Sequence, residues 1–372
     1  MTVNVKKSKI MRYFKEPESS YFLFGPHGVG KLAFLKQRYP DALIFDLQDP
    51  KTYLYISADL SSFIRELKTR AEEKIIIIIN EAQKIPDFLW PLRHMVSPRN
   101  KWRFILTSSN IIKIKKQIDE LLFHGMEQTF LYPLMACELK EKFDFDEALK
   151  HGTLLQKDKT LENIEKEIRT SGVVLSYEKF IKFLKALSLY HGSTLSISSV
   201  ARECGVKRTT VNDWISLLEG LFVCIRIPEF NRLVQHQTRH HPRFYFFDVG
   251  LYRKLCPSST DEMAMKGLVA YHLMAWKENS SGRHDHFFWK MKSGAEIDFH
   301  FFGNIGCWTI NLKDTKIVKP EDIRSLVSYR KKYSGSKTIF IYSGRYPFLE
   351  NGVLCLPCEE FLKGIVPNKP LV

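Results

Sequence analysis

Three things are scarce in this sequence of 372 residues: long apolar runs, paired cysteines, and acids to match its bases. The purely apolar run at residues 75–79 falls far short of the roughly 20 residues that span a bilayer, so no membrane span is expected. Met1 to Lys7 has no apolar stretch behind its lysines, which argues against a secretory leader. The seven cysteines are scattered. Cys355 and Cys358 have C-x-x-C spacing, but one such pair without further Cys or His partners cannot close a four-ligand zinc site. Free thiols in a reducing compartment account for them, so a cytoplasmic location is expected. Against 56 Lys and Arg stand 41 Asp and Glu, a net charge of +15, which favours a polyanionic partner such as nucleic acid or an anionic surface.

What is present is ordinary globular material: 44% hydrophobic and 26% charged residues, enough for two or three domains. Short apolar runs at 21–24, 43–47, 75–79 and 104–107 predict strands, and 31–38 and 61–71 predict helices between them. The run at 75–79 is β-branched throughout, as suits a central strand covered on both faces. This alternation predicts an α/β fold with a doubly wound parallel sheet. A charged helical stretch follows at 156–190, then a helix-turn-helix pattern at 197–221, then α/β again from Met263. The expected division is a P-loop nucleotide-binding domain at 1–155, a helical and winged-helix domain at 156–258, and a small α/β nuclease-like domain at 259–372.

Gly25-Pro26-His27-Gly28-Val29-Gly30-Lys31-Leu32 nearly satisfies G-x-x-x-x-G-K-[ST]. Glycines let backbone N–H groups close around phosphate oxygens, and the lysine neutralises the β- and γ-phosphates. The loop follows a strand, opens a helix, and is followed by a second apolar strand ending in Asn80-Glu81. That strand has the shape of a Walker B element, delivering polar side chains beside the phosphates.

With "YFLFGPHGVGK", "IIIIINEAQKIPDF", "RFILTSSN", "LYPLMACEL", "YFFDVGLYRKL" and "FFWKMKSGAEIDF", nearly the whole chain resembles the bacterial and archaeal AAA ATPases that carry a C-terminal domain of unknown function. The resemblance implies ATP or ADP as ligand, Lys31 as the phosphate lysine, Glu81 as the base that activates water, and Thr107 or Ser109 as the sensor. Three positions depart from it. Leu32 stands where the family has Ser or Thr, Asn80 where it has the Walker B Asp, and Met126 where it usually has Arg. The first two would hold magnesium, a hard cation that wants charged oxygen ligands. The expectation is therefore a nucleotide-binding protein with impaired hydrolysis and a weakened Mg²⁺ site; the alternative is a slow ATPase that remodels DNA or a protein partner.

In the helix-turn-helix pattern, Lys207, Arg208, Thr209 and Asn212 open the second helix, with residue types suited to phosphates and base edges of duplex DNA. Arg226, Arg232, Arg239 and Arg243, with His236, His240 and His241, are expected on a β-hairpin wing. A lid or protein-packing role is the alternative for this module. Further on, Ser293 to Phe299 and Thr309 to Lys313 resemble the core of restriction-endonuclease-like folds. Asp298 and Lys313 match that pattern, whereas Asn311 replaces its second carboxylate and Lys266 stands where relatives often carry Glu. A degenerate nuclease domain without a metal site is expected.

Overall fold

The computed structural model describes residues 10–69, 75–96, 101–155, 160–230, 238–290, 296–304, 306–333 and 335–371. The N-terminal sheet contains β1 (Tyr21–Phe24), β2 (Leu43–Asp46), β3 (Ile75–Asn80), β4 (Trp102–Ser108) and β5 (Glu127–Phe130). Every pairing in it is parallel and the order is β2-β3-β4-β1-β5. Helices α1 (Lys31–Arg38), α2 (Pro50–Ala58), α3 (Leu60–Thr69), α4 (Leu89–Leu92) and α5 (Lys115–Phe123) lie between the strands in sequence. Phe22, Phe24, Ile77, Ile79, Phe104 and Leu106 join one apolar core with Phe63 of α3 and Leu121 of α5. Tyr21, Leu23, Ile78 and Ile105 join the opposite core with Leu35 of α1. Both faces are covered, so successive strand side chains can all be apolar. β5 carries little of this signal, because Glu127 and Gln128 are exposed at the sheet edge. The register sets Phe24 opposite Ser108 and Asp46 opposite Asn80, so one edge of the sheet gathers the polar ends of its strands.

The chain continues through α6 (Ala136–Leu139), α7 (Phe145–His151), α8 (Thr160–Ser171), α9 (Tyr177–Ser188), β6 (Ser193–Thr194), α10 (Ile197–Cys204), α11 (Arg208–Gly220), β7 (Cys224–Glu229), β8 (Thr238–Phe246) and α12 (Val249–Leu255). The Ser196 hydroxyl caps α10 by accepting from Ser199 N–H. Gly205 ends the helix at φ 63°, a left-handed conformation that glycine adopts without a Cβ penalty. Helix α11 turns Val211, Trp214, Ile215 and Leu218 inward against Phe180 and Phe183 of α9. β7 and β8 form an antiparallel hairpin behind it.

The C-terminal part comprises α13 (Asp261–Asn279), β9 (His284–Lys290), β10 (Glu296–Gly303), β11 (Gly306–Leu312), α14 (Pro320–Lys332), β12 (Lys337–Tyr342), β13 (Phe348–Glu350), β14 (Val353–Pro357) and α15 (Cys358–Gly364). One mixed sheet runs β13-β14-β12-β11-β10-β9-β7-β8-β6. It crosses residue 258, where the sequence places a domain boundary, because Phe230 N–H bonds the Phe288 carbonyl at 2.8 Å and Glu229 registers with Phe288. Helix α13 is enclosed, with Leu268, Tyr271 and Trp276 in a core shared with Tyr245, Phe299, Phe301 and Ile339. All seven cysteines are free, and burial pushes the Cys355 thiol up to about 11, as expected for a packing residue. Among the described residues no helix is long and apolar enough to cross a membrane.

Candidate nucleotide site and a buried charge cluster

The loop after β1 depends on backbone freedom. Gly25, Gly28 and Gly30 have φ of 151°, 80° and 88°. A Cβ on Gly25 would also lie 2.4 Å from the Leu131 carbonyl oxygen, so a side chain is excluded there on two counts. Gly30 is the left-handed N-cap of α1, and Lys31 is the first residue of that helix. Lys31 is buried, with its ammonium donating to the carbonyls of Gly25 at 2.8 Å and Pro26 at 3.2 Å. Its charge faces Glu81, Nζ to Oε1 3.6 Å. Burial pulls the Lys31 pKa down and the Glu81 carboxylate opposes that shift.

At the end of β3, Glu81 sits at φ 58° and is buried. Burial alone would raise its pKa, but Lys31, His27, Ser109 and Gln83 together hold it below the usual carboxylate value. Ser109 Oγ and Gln83 Nε2 both donate to Glu81 Oε2 at 2.6 Å, and His27 Nε2 lies 2.6 Å from Ser109 Oγ. Thr107 Oγ1 accepts from Glu81 N–H at 3.0 Å and donates to Asn80 Oδ1 at 2.7 Å. Asn80 Nδ2 donates to Asp46 Oδ1 at 2.8 Å. Both ends of the Asn80 amide are therefore engaged. Leu32 packs with the apolar residues on the α1 side of the sheet, and Met126 is buried in the opposite core. Lys31, Glu81, Thr107, Ser109 and Asn80 lie together, with His27 joining them from the loop.

Four further contributors escape sequence reasoning. Gln83 and Asp46 hold Glu81 and Asn80. Leu155, beyond α7, donates its N–H to the Gly28 carbonyl at 3.1 Å. Glu167 on α8 accepts from Asn110 Nδ2 at 2.8 Å and Lys113 Nζ at 2.9 Å, and its Oε1 is 4.0 Å from His27 Nε2. A cavity of about 30 Å³ lies where Pro26, His27, Leu154, Glu167 and Asp248 meet. Only tertiary packing brings α8 to this loop, and no spacing in the sequence signals it.

The basic candidates divide. Lys207, Arg208, Thr209 and Asn212 are exposed at the start of α11. Arg226 is paired with Glu219 at 2.5 Å. Arg243, expected on a DNA-facing wing, is instead buried: its guanidinium binds Asp298 and Glu296. It points into the shared sheet because β8 lies inside that sheet, between β7 and β6. Arg232 and His236 lie outside the described residues, as do the side chains of Arg239, His240 and His241.

Asp298 is buried on β10, between the Arg243 guanidinium and Lys266 Nζ at 3.3 Å, with Leu312 N–H donating to its Oδ2 at 3.0 Å. Burial would raise its pKa, but Lys266 and Arg243 hold it below the ordinary value. Asn311 uses its whole amide in place, accepting from Asp298 N–H at 2.9 Å and donating to the Glu296 carbonyl at 3.0 Å and Ser325 Oγ at 2.8 Å. Lys313 turns away to Asp322 at 2.6 Å. Asp298 and Lys313, matched as a pair in the sequence, thus have different partners.

Residues 18–140 match the family model of an AAA domain. The N-terminal part of this chain is thus similar to an AAA domain. A domain of unknown function (DUF8612) matches residues 145–262, and another (DUF4143) matches 262–361, so the AAA domain is followed by a C-terminal domain of unknown function. No curated protein matches the chain. Among solved structures it is similar to protein VC1899 from Vibrio cholerae, at 12% identity over 93% of this chain and 96% of that one; the TM-score of 0.24 is too low to establish a shared fold. The AAA domain implies nucleotide binding of the ATPase type, and the loop with Lys31 fits that ligand. The residues where the resemblance implies a magnesium position do not fit the ion: the Leu32 side chain has no oxygen to offer, and the Asn80 amide is neutral and bonded at both ends.

The charge cluster behind the AAA domain yields a direct test. Removing one partner of a buried ion pair costs about 3–5 kcal/mol, because the other charge is left uncompensated. Asp298→Ala should lose about that much in urea unfolding at pH 7. Since the folded pKa of Asp298 is depressed, its contribution is present above the unfolded carboxylate value of about 4 and is lost as pH falls through the folded one. The gap between variant and wild type should therefore narrow in acid. Equal stability at pH 7 would show that Asp298 does not hold the cluster.

Proposed function

We propose that the AAA domain binds ATP or ADP through Gly25, Pro26, His27, Gly28, Val29, Gly30 and Lys31 as a structural or switching ligand, with impaired hydrolysis. The observation that carries this reading is the pairing of an intact lysine-bearing loop with a metal position closed by Leu32 and by an Asn80 amide bonded to Thr107 and Asp46. Backbone N–H groups at the start of α1 and the Lys31 ammonium would hold the phosphates. Glu81 lies beside Lys31, where an acid would serve as base to an attacking water. Its Oε2 already accepts from Ser109 and Gln83, so a proton-accepting role competes with those bonds.

If the closed metal position is the cause, Leu32→Ser combined with Asn80→Asp should restore magnesium-dependent ATP turnover. Either change alone should do little, since both side chains serve one ion and such effects are non-additive. Asn80→Asp alone sets a second carboxylate beside Asp46, now 2.8 Å from the amide nitrogen. Turnover by the double variant should fall again on Glu81→Gln. Robust hydrolysis by the unmodified chain would rule the reading out and favour a working ATPase that remodels DNA or a protein partner.

The same proposal extends to duplex DNA. The α10–α11 pair followed by the β7–β8 hairpin is read as a winged helix, and four polar residues that would meet a groove are exposed at the start of α11. The C-terminal centre is read as a nuclease relic that does not cleave, because Arg243 and Lys266 take up the Asp298 carboxylate. Counterion release lowers log affinity by about 0.9 per phosphate neutralised for each unit of log salt. Lys207→Glu with Arg208→Glu should therefore flatten the salt dependence of DNA affinity by about two such steps. A wild-type chain without measurable affinity at about 50 mM salt would favour a lid role for this module.

A further inference from the structure

We propose that this site selects ADP over ATP, and that Glu167 is the residue that sets the preference. The proposal rests on the reading above, that nucleotide occupies the Gly25–Lys31 loop. A P-loop lysine reaches the β- and γ-phosphates, so the γ position lies beside Lys31 Nζ and hence beside Glu81, 3.6 Å from that nitrogen. His27 extends the same wall. Its Nε2 is 3.9 Å from Glu81 Oε2 and 4.0 Å from Glu167 Oε1. Two carboxylates thus flank the end of the loop where the third phosphate would sit.

Glu167 is fixed there. Ile164 and Ile168 on the same helix are buried in a core with Phe180 and Phe183 of α9 and Trp214 of α11, which fixes α8 on that part of the chain. The Glu167 carboxylate is bonded to Asn110, immediately after Ser109, and to Lys113. Burial would raise its pKa, but contacts from His27, Lys113 and Asn110 hold it at about 2, so it is ionised at neutral pH. Swinging it aside would strip Asn110 and Lys113 of a partner.

Charge decides between the nucleotides. Lys31 and Lys113 are matched by Glu81 and Glu167, so the two lysines contribute no surplus positive charge at the γ end. The side chains that would recruit a divalent cation are Leu32 and Asn80. A third phosphate therefore adds negative charge to a neutral, partly desolvated wall. ADP places its terminal phosphate at the loop and Lys31 without reaching Glu167.

The test is calorimetric titration of the full chain and of Glu167→Gln with ADP and with ATP, each with excess EDTA. Glutamine keeps an oxygen for Asn110 and removes the charge. Wild type should bind ADP about tenfold more tightly than ATP, the effect of roughly one partly screened charge, and Glu167→Gln should narrow that ratio to about twofold. Wild type binding ATP as tightly as ADP would overturn the proposal, as would a Glu167→Gln variant with the ratio of wild type. The wild-type ratio stands by itself if the variant fails to fold, and Lys113→Met, which leaves Glu167 without its cation, should then widen it. An unwidened ratio would count against the assignment. Failure of both nucleotides to bind wild type would refute the nucleotide reading, and this proposal with it.

Discussion

A buried charge must be neutralised, and the way this chain does so shapes both of its polar centres. Removing an ion from water costs several kcal/mol unless a partner and hydrogen bonds replace the hydration. Glu81 and Asp298 are both buried, at positions where the resemblance to AAA ATPases and nuclease folds would imply a metal ion nearby. In each case protein cations do the neutralising. Lys31 faces Glu81, while Arg243 and Lys266 face Asp298. Asn80 and Asn311 follow the same logic. Each stands where the resemblance implies an acid, and each amide is bonded at both ends to its surroundings. Both carboxylates are thus paired with protein cations.

The same constraint ties the parts of the chain together. Arg243 of the β7–β8 hairpin closes onto β10 of the C-terminal part, within the one sheet that β7 and β9 join from segments separated by α12 and α13. Glu167 brings α8 to Asn110 and Lys113 of the AAA domain, and Arg12 binds Glu138 and the Tyr132 carbonyl on the stretch leading into α6. The Gly25–Lys31 loop is therefore in contact with α8, which leads through α9 into the α10–α11 pair.

Much of this was legible in the sequence. The apolar runs at 21–24 and 75–79 announce buried strands because two covered faces leave no polar alternation to read. Gly25, Gly28, Gly30 and Lys31 announce the loop because phosphate binding demands that spacing, and Ser196 and Gly205 bracket α10 through local capping chemistry. β5 is not legible, since Glu127 and Gln128 sit at an edge where burial writes no pattern. Nor is Glu167, one acid among several on a charged helix, singled out only by what α8 packs against. Arg243 reads as a wing residue from composition; its burial follows from β7 pairing with β9, a contact between distant segments that local sequence does not encode.

The central claim is that nucleotide binding here no longer depends on a divalent cation, because Leu32 and Asn80 have closed the metal position. Equilibrium titration of the intact chain with ATP, once with excess EDTA and once with excess magnesium, tests it most directly. Dissociation constants agreeing within about twofold are what the account requires, with Lys31→Ala abolishing binding in both conditions. A magnesium-dependent gain of tenfold or more, about 1.4 kcal/mol, would contradict it.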